Sequence, residues 1–140
     1  MRMIQELESA WTETEAWIEE FMFQLDWHSP RLAYHAFIGA LHALRDSLPW
    51  DEAVQVGAYF PPLLRGLYYE GWHPTARSLP LSNPKQFLDR IHDSVHREPG
   101  VDPELVARGL FSLLAKRLPA TELEDARAVT PQALHALWPA

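Results

Sequence analysis

A chain of 140 residues, 47% hydrophobic and 22% charged, can bury one core and lacks the composition of a disordered tail. Its 19 acidic against 12 basic residues give a formal net charge of −7, which opposes nucleic-acid backbones and anionic lipid as partners. The absence of cysteine excludes disulfides, thiolate metal sites and thiol catalysis. No run of 18 apolar residues occurs, and the segment Met1-Arg2-Met3-Ile4-Gln5-Glu6-Leu7-Glu8 carries acids early, so neither a membrane span nor a signal peptide is predicted; the expected setting is cytoplasmic.

Ile4, Leu7, Trp11, Ile18, Phe21 and Leu25 step by three or four, with Thr14 filling the one gap, which predicts a long amphipathic helix ending near Trp27. Its first part, 3–16, reads as an extension. Ser29-Pro30 supplies an N-cap and a first-turn proline for a second helix, with Ala33, Phe37, Leu41, Leu44 and Leu48 on one face up to Pro49. A short third helix is expected over Trp50–Ala58. Phe60-Pro61-Pro62 then breaks the chain and starts a fourth, closed by Gly71 as a glycine of positive φ.

Residues 73–83 have no apolar period and read as a linker. Asn83-Pro84 opens a fifth helix carrying Phe87, Ile91 and Val95, and Asp102-Pro103 a sixth carrying Val106, Leu110, Leu113 and Leu114. Thr121 followed by Glu124 reads as a capping box for a seventh helix. Pro131 opens an eighth, ending near Trp138.

The strongest signal is internal. Leu44, Leu48-Pro49, Glu52, Pro61, Leu64, Leu67 and Tyr68 recur as Leu114, Leu118-Pro119, Glu122, Pro131, Leu134, Leu137 and Trp138, every pair 70 residues apart. Upstream, Phe21 and Leu25 pair with Phe87 and Ile91 at a spacing of 66. The expected architecture is all-α: one domain over 1–140, made of two pseudo-symmetric four-helix repeats (about 17–72 and 84–138) forming one bundle about a pseudo-two-fold axis.

The segment His42-Ala43-Leu44-Arg45-Asp46-Ser47-Leu48-Pro49, then Glu52-Ala53, then Phe60-Pro61-Pro62-Leu63-Leu64-Arg65-Gly66-Leu67-Tyr68-Tyr69-Glu70-Gly71-Trp72, resembles the bacterial family called domain of unknown function 2267. The resemblance runs through the linker into Phe87-Leu88. It implies an all-helical fold in a bacterial cytoplasm, and no activity.

Comparing the two copies isolates candidate site residues. Arg65, Tyr69, Glu70 and Trp72, with Gly66 and Gly71, occur in the first copy alone. Arg65 and Tyr69 share a helical face, and a guanidinium beside an aromatic ring can hold a carboxylate or phosphate or stack on a planar ligand. The structural alternative gives Tyr69 and Trp72 to packing, and Arg65 to an acid such as Asp46 or to a helix C-terminus. Asp89, His92, Asp93 and His96 fall within a roughly 100° arc of one helix and are competent metal ligands, although the arc lies opposite Phe87, Ile91 and Val95 and so faces solvent. His28, His35 and His42 recur every seven residues, a solvent-facing stripe too long for one ion. Trp11 lies on the first helix's apolar stripe and Trp17 and Trp27 beside it, a surplus that marks an interface when exposed.

No phosphate loop, nucleophile elbow, His-Glu-x-x-His or calcium loop is present, and no cofactor is implied. The reading therefore inclines away from an enzyme. It favours a non-catalytic helical interaction or scaffold module, with a second copy of itself or another protein as partner; the alternative is a small-ligand or metal-binding protein, even an enzyme, using Arg65, Tyr69 and Trp72.

Overall fold

Prolines set the joints of this chain. In the computed structural model, which describes residues 4–73 and 83–139, Pro30, Pro62, Pro84 and Pro103 each open a helix at its first position, where a missing N–H costs nothing. Pro49, Pro61, Pro119 and Pro131 each hold the extended residue just before one. The side chains of Ser29, Asn83 and Asp102 accept from first-turn amides of the helices they precede. The helices are α1 (Gln5–Gln24), α2 (Pro30–Ser47), α3 (Trp50–Gly57), α4 (Pro62–Tyr69), α5 (Pro84–Ser94), α6 (Pro103–Arg117) and α7 (Ala120–Val129), followed by a 3₁₀ segment, Gln132–Leu137. The fold is all-helical, with no strand among the described residues. The expected linker lies, over 74–82, outside the described residues.

Element boundaries recur at the spacing seen in the sequence. Leu48 and Leu118 end α2 and α6, Pro49 and Pro119 precede α3 and α7, and Pro61 and Pro131 precede α4 and the 3₁₀ segment. The ends of α1 and α5 correct the upstream register. Asp26 and His96 both take a φ of 55°. Beyond them, the Trp27 N–H reaches the Met22 carbonyl at 3.0 Å and the Arg97 N–H reaches the His92 carbonyl at 2.8 Å, each closing a Schellman motif. Phe21 therefore corresponds to Ile91 and Leu25 to Val95, again 70 apart; the following loop is longer in the second copy, 95–102 against 25–29, and α6 is shorter than α2 by the same amount.

Two further expectations shift for local reasons. Pro119 caps α7, so Thr121 sits inside the first turn and makes no capping bond. The last element winds as 3₁₀ because six residues before Pro139 are too few to nucleate an α-helix. Gly71 takes a φ of +74°, as expected.

The core centres on α2 and α6. Phe37, Leu41 and Leu44 are fully buried on one side of α2, and Ala36, Gly39 and Ala43 on another. Each buried Phe or Leu contributes about 1.5–3 kcal/mol, more than any single cap at about 1 kcal/mol, so burial decides how the helices pack. The small residues let α5 approach α2 closely: a Cβ on Gly39 would collide with Ser94. Gly109, at the corresponding place on α6, faces Leu25 and Phe21, which a Cβ there would meet at 3.2 and 3.4 Å.

The first helix departs from its predicted stripe. Thr14, Trp17 and Phe21 are buried, Trp17 edge-on to Phe60 with the Arg117 guanidinium over its indole. Ile4, Leu7 and Trp11 are 57–62% exposed, because the amino-terminal half of α1 extends past the elements it could pack on.

The Gly39–Ser94 contact yields a test. Gly39→Ala should lose about 1–3 kcal/mol of stability by overpacking, read as a lower urea midpoint, and adding Ser94→Gly should restore most of it. Equal loss in the single and double variants would contradict this account of the α2–α5 contact.

Candidate functional site

An eight-residue helix leaves half of its carbonyls without an intrahelical donor, and α3 and α4 are both eight residues long. The side chains of α4 supply donors to α3 and the turn after it. Arg65 Nε donates to the Gly57 carbonyl at 3.0 Å, and its Nη2 donates to Phe60 at 2.9 Å and Ala58 at 3.4 Å. The Tyr69 hydroxyl reaches Val54 at 3.3 Å and the Tyr68 hydroxyl reaches Ala53 at 2.7 Å. Burial pushes both phenols up from their ordinary pKa, so both remain donors at neutral pH.

The C-terminus of α4 is held in turn by α2. His42 Nε2 donates to the Leu67 carbonyl at 2.8 Å, and Arg45 Nη1 donates to Tyr68 at 2.8 Å and Glu70 at 3.0 Å. Arg45 is 3% exposed, and a buried guanidinium needs a counter-charge. Asp46 provides it, accepting from Arg45 Nε at 2.8 Å and Nη2 at 3.1 Å, and accepting from Arg90 of α5 at 2.7 Å. Burial alone would raise the Asp46 carboxyl, but the two guanidiniums outweigh it and hold its pKa below the usual value. Burial lowers the His42 pKa, opposed by its bond to Leu67, which keeps the imidazole a neutral donor.

The structure thus places Arg65, Tyr69 and Trp72 together, with the Tyr69 and Trp72 rings stacked at 5.4 Å, but the Arg65 guanidinium points at carbonyls rather than outward. It does not pair with Asp46, which belongs to Arg45 and Arg90. The second copy has the same cap from a different residue: His135 Nε2 lies 3.0 Å from the Thr130 carbonyl, the counterpart of Arg65 on Phe60. Glu70 is exposed, and its carbonyl serves Arg45.

The metal candidates do not converge. Asp89 bonds Lys85 and Arg97, and Asp93 bonds Arg97. His92 Nε2 donates to the Glu98 carbonyl at 2.9 Å. His96 follows the end of α5 at positive φ and leaves the arc that a continued helix would give it. Among the described residues no group of three or more His, Asp or Glu could hold a metal ion. The histidine stripe is also broken: His28 and His35 are exposed, whereas His42 turns into the cap of α4. Sequence reasoning passed over Arg45, although it stands four residues after Leu41 on a helix face that is otherwise apolar. That misplaced charge was the available signal.

A different surface is open. α1, α2 and α4 enclose a groove of about 780 Å³, lined chiefly by Trp11, Ile18, Phe23, Tyr34, Leu63 and Leu67. Phe23 is 77% exposed. Among the described residues the only charged side chains in its lining are Glu15 and Glu19, and the Thr14 hydroxyl there is already committed to the Ala10 carbonyl at 2.9 Å.

With the geometry in place, the family comparison is informative. Residues 14–137 match the family described as an uncharacterized conserved protein, DUF2267. The chain belongs to this family. The matched region takes in every capping residue above and the Trp17 half of α1, and it excludes Ile4, Leu7 and Trp11. No curated protein matches the chain. Among the described residues, no helix is long and apolar enough to cross a membrane.

If Arg65 is a cap, Arg65→Gln should cost about 1–3 kcal/mol of stability and expose the amide protons of α3 to exchange. Unchanged stability, with α3 as protected as before, would contradict that role.

Proposed function

We propose that this protein is a non-catalytic docking module whose α1–α2–α4 groove receives an amphipathic helix with basic flanks. The observation that carries the reading is an open apolar groove whose charged lining residues, among those described, are both glutamates. α1, which forms one wall, holds Glu6, Glu8, Glu13, Glu15, Glu19 and Glu20 and no Lys or Arg. Apolar side chains in the trough supply affinity, and the charge on the wall selects the partner. A second copy of α1 would set its own Glu15 and Glu19 against those of that wall, so charge favours a different chain over self-association. From Trp11 in the groove, the exposed Leu7 and Ile4 continue the apolar surface along α1. The volume would also admit a small molecule, but the lining is mainly apolar, with Glu15, Glu19 and Tyr34 as its free polar groups among the described residues, which suits the apolar face of a helix with basic flanks.

The test is fluorescence anisotropy with a labelled peptide of about 15 residues, the length of groove wall that α1 offers, patterned as a Leu/Lys amphipathic helix. A same-composition scramble that cannot segregate its faces serves as control. The amphipathic peptide should bind about tenfold or more tightly than the scramble, and Phe23→Asp should remove that difference while leaving the fold intact by circular dichroism. Equal binding of the two peptides, or a Phe23-dependent dimer in sedimentation, would overturn the proposal.

A further inference from the structure

Independently of the docking groove, two equivalent residues of the two copies meet inside the protein. Glu52 on α3 and Glu122 on α7, 70 residues apart on helices in contact, are 8% and 5% exposed, and each lies in the other's electrostatic field. One oxygen of each carboxyl, Oε1, is buried with no partner. Two buried carboxylates face to face repel each other strongly, whereas one carboxyl and one carboxylate attract through a short proton bridge.

Among the described residues no cation relieves the pair. From their own helices the facing groups are Asp51 and Asp125, both acidic. From α4, Tyr68 is a neutral phenol committed to Ala53, and Arg65 caps the far end of α3. From α2, Arg45 is spent on Asp46 and the end of α4. From α6, Arg117 reaches Glu20, and neither it nor Lys116 forms an ion pair with either glutamate. A divalent ion would need further ligands, and none converge among the described residues.

We infer that Glu52 and Glu122 bind a single proton between them and that the α3–α7 contact is a proton-dependent latch, closed while the proton is held and strained once it leaves. Burial first, then the charges of Glu52 and Asp125, pushes Glu122 up to about 7. Burial and Asp125 raise Glu52 as well. Because the folded protein then holds a proton that the unfolded chain releases near the ordinary glutamate value of 4.5, stability is full below that value. It declines as pH rises toward 7 and levels off above it.

The decisive experiment is urea unfolding of the whole chain across about pH 4.5 to 8, wild type against Glu122→Gln, which keeps a donor and removes the charge. The wild-type unfolding constant should rise about tenfold or more over that range relative to the variant. Parallel profiles would overturn the latch. Should Glu122→Gln fail to fold, carboxyl carbon NMR on the wild type reads the same property: one glutamate titrating near pH 7 supports the latch, and every glutamate titrating below about pH 5.5 overturns it.

Discussion

The guanidinium of Arg45 is the constraint on which the first half of this structure depends. It lies almost wholly inside the protein, balanced by Asp46, and two of its hydrogen bonds end on the last carbonyls of α4. A helix of eight residues has too few internal hydrogen bonds to hold itself, so α4 exists by virtue of what α2 donates to it. α4 then does the same for α3 through Arg65, Tyr68 and Tyr69. The order of dependence runs from a long, deeply buried helix to a short one and on to a second short one. It ends at Glu52, where α3 meets α7. Desolvating the arginine is costly, and removing one partner of such a buried pair typically loses about 3–5 kcal/mol.

The two copies share more geometry than side-chain chemistry. Glycines 39 and 109 admit α5 and α1 respectively, and the caps on the residues after α3 and α7 come from Arg65 in one copy and His135 in the other. The buried Arg45 and Asp46 have no such counterpart, since Ala115 and Lys116 stand 70 residues later. In the second copy the last element is correspondingly a 3₁₀ segment, its Trp138 ring stacked on Phe111 at 4.2 Å with the indole Nε1 buried and unpartnered. Here an exposed arginine, Arg108 of α6, donates to the Ala136 carbonyl at 3.0 Å, in place of the buried pair that anchors α4.

Much of the fold was legible because proline and leucine act locally. Ser29-Pro30, Asn83-Pro84 and Asp102-Pro103 announce helix starts through capping chemistry that needs no tertiary context, and the structure has helices starting at all three. Thr121 misled because the capping-box pattern was weighed without Pro119, which fixes the N-cap geometry two residues earlier. Trp11 misled because a three-to-four period identifies an apolar face but not whether anything lies against it. The site was less legible for a deeper reason. A side chain that caps another helix answers to carbonyls 23 or 25 residues away, and no local periodicity encodes that. Arg65 could be read as a ligand-binding cation or as the cap of a helix C-terminus, because backbone carbonyls, which every residue possesses, leave no mark in the sequence.

The order of dependence can be read directly by native-state amide hydrogen exchange on Arg45→Met, a change that keeps an unbranched apolar stem while deleting the donors. The account predicts that the amides of α4 lose protection first and furthest, those of α3 next, and those of α2 and α6 least. Uniform loss of protection across all helices, or an α4 as protected as in the wild type, would contradict it.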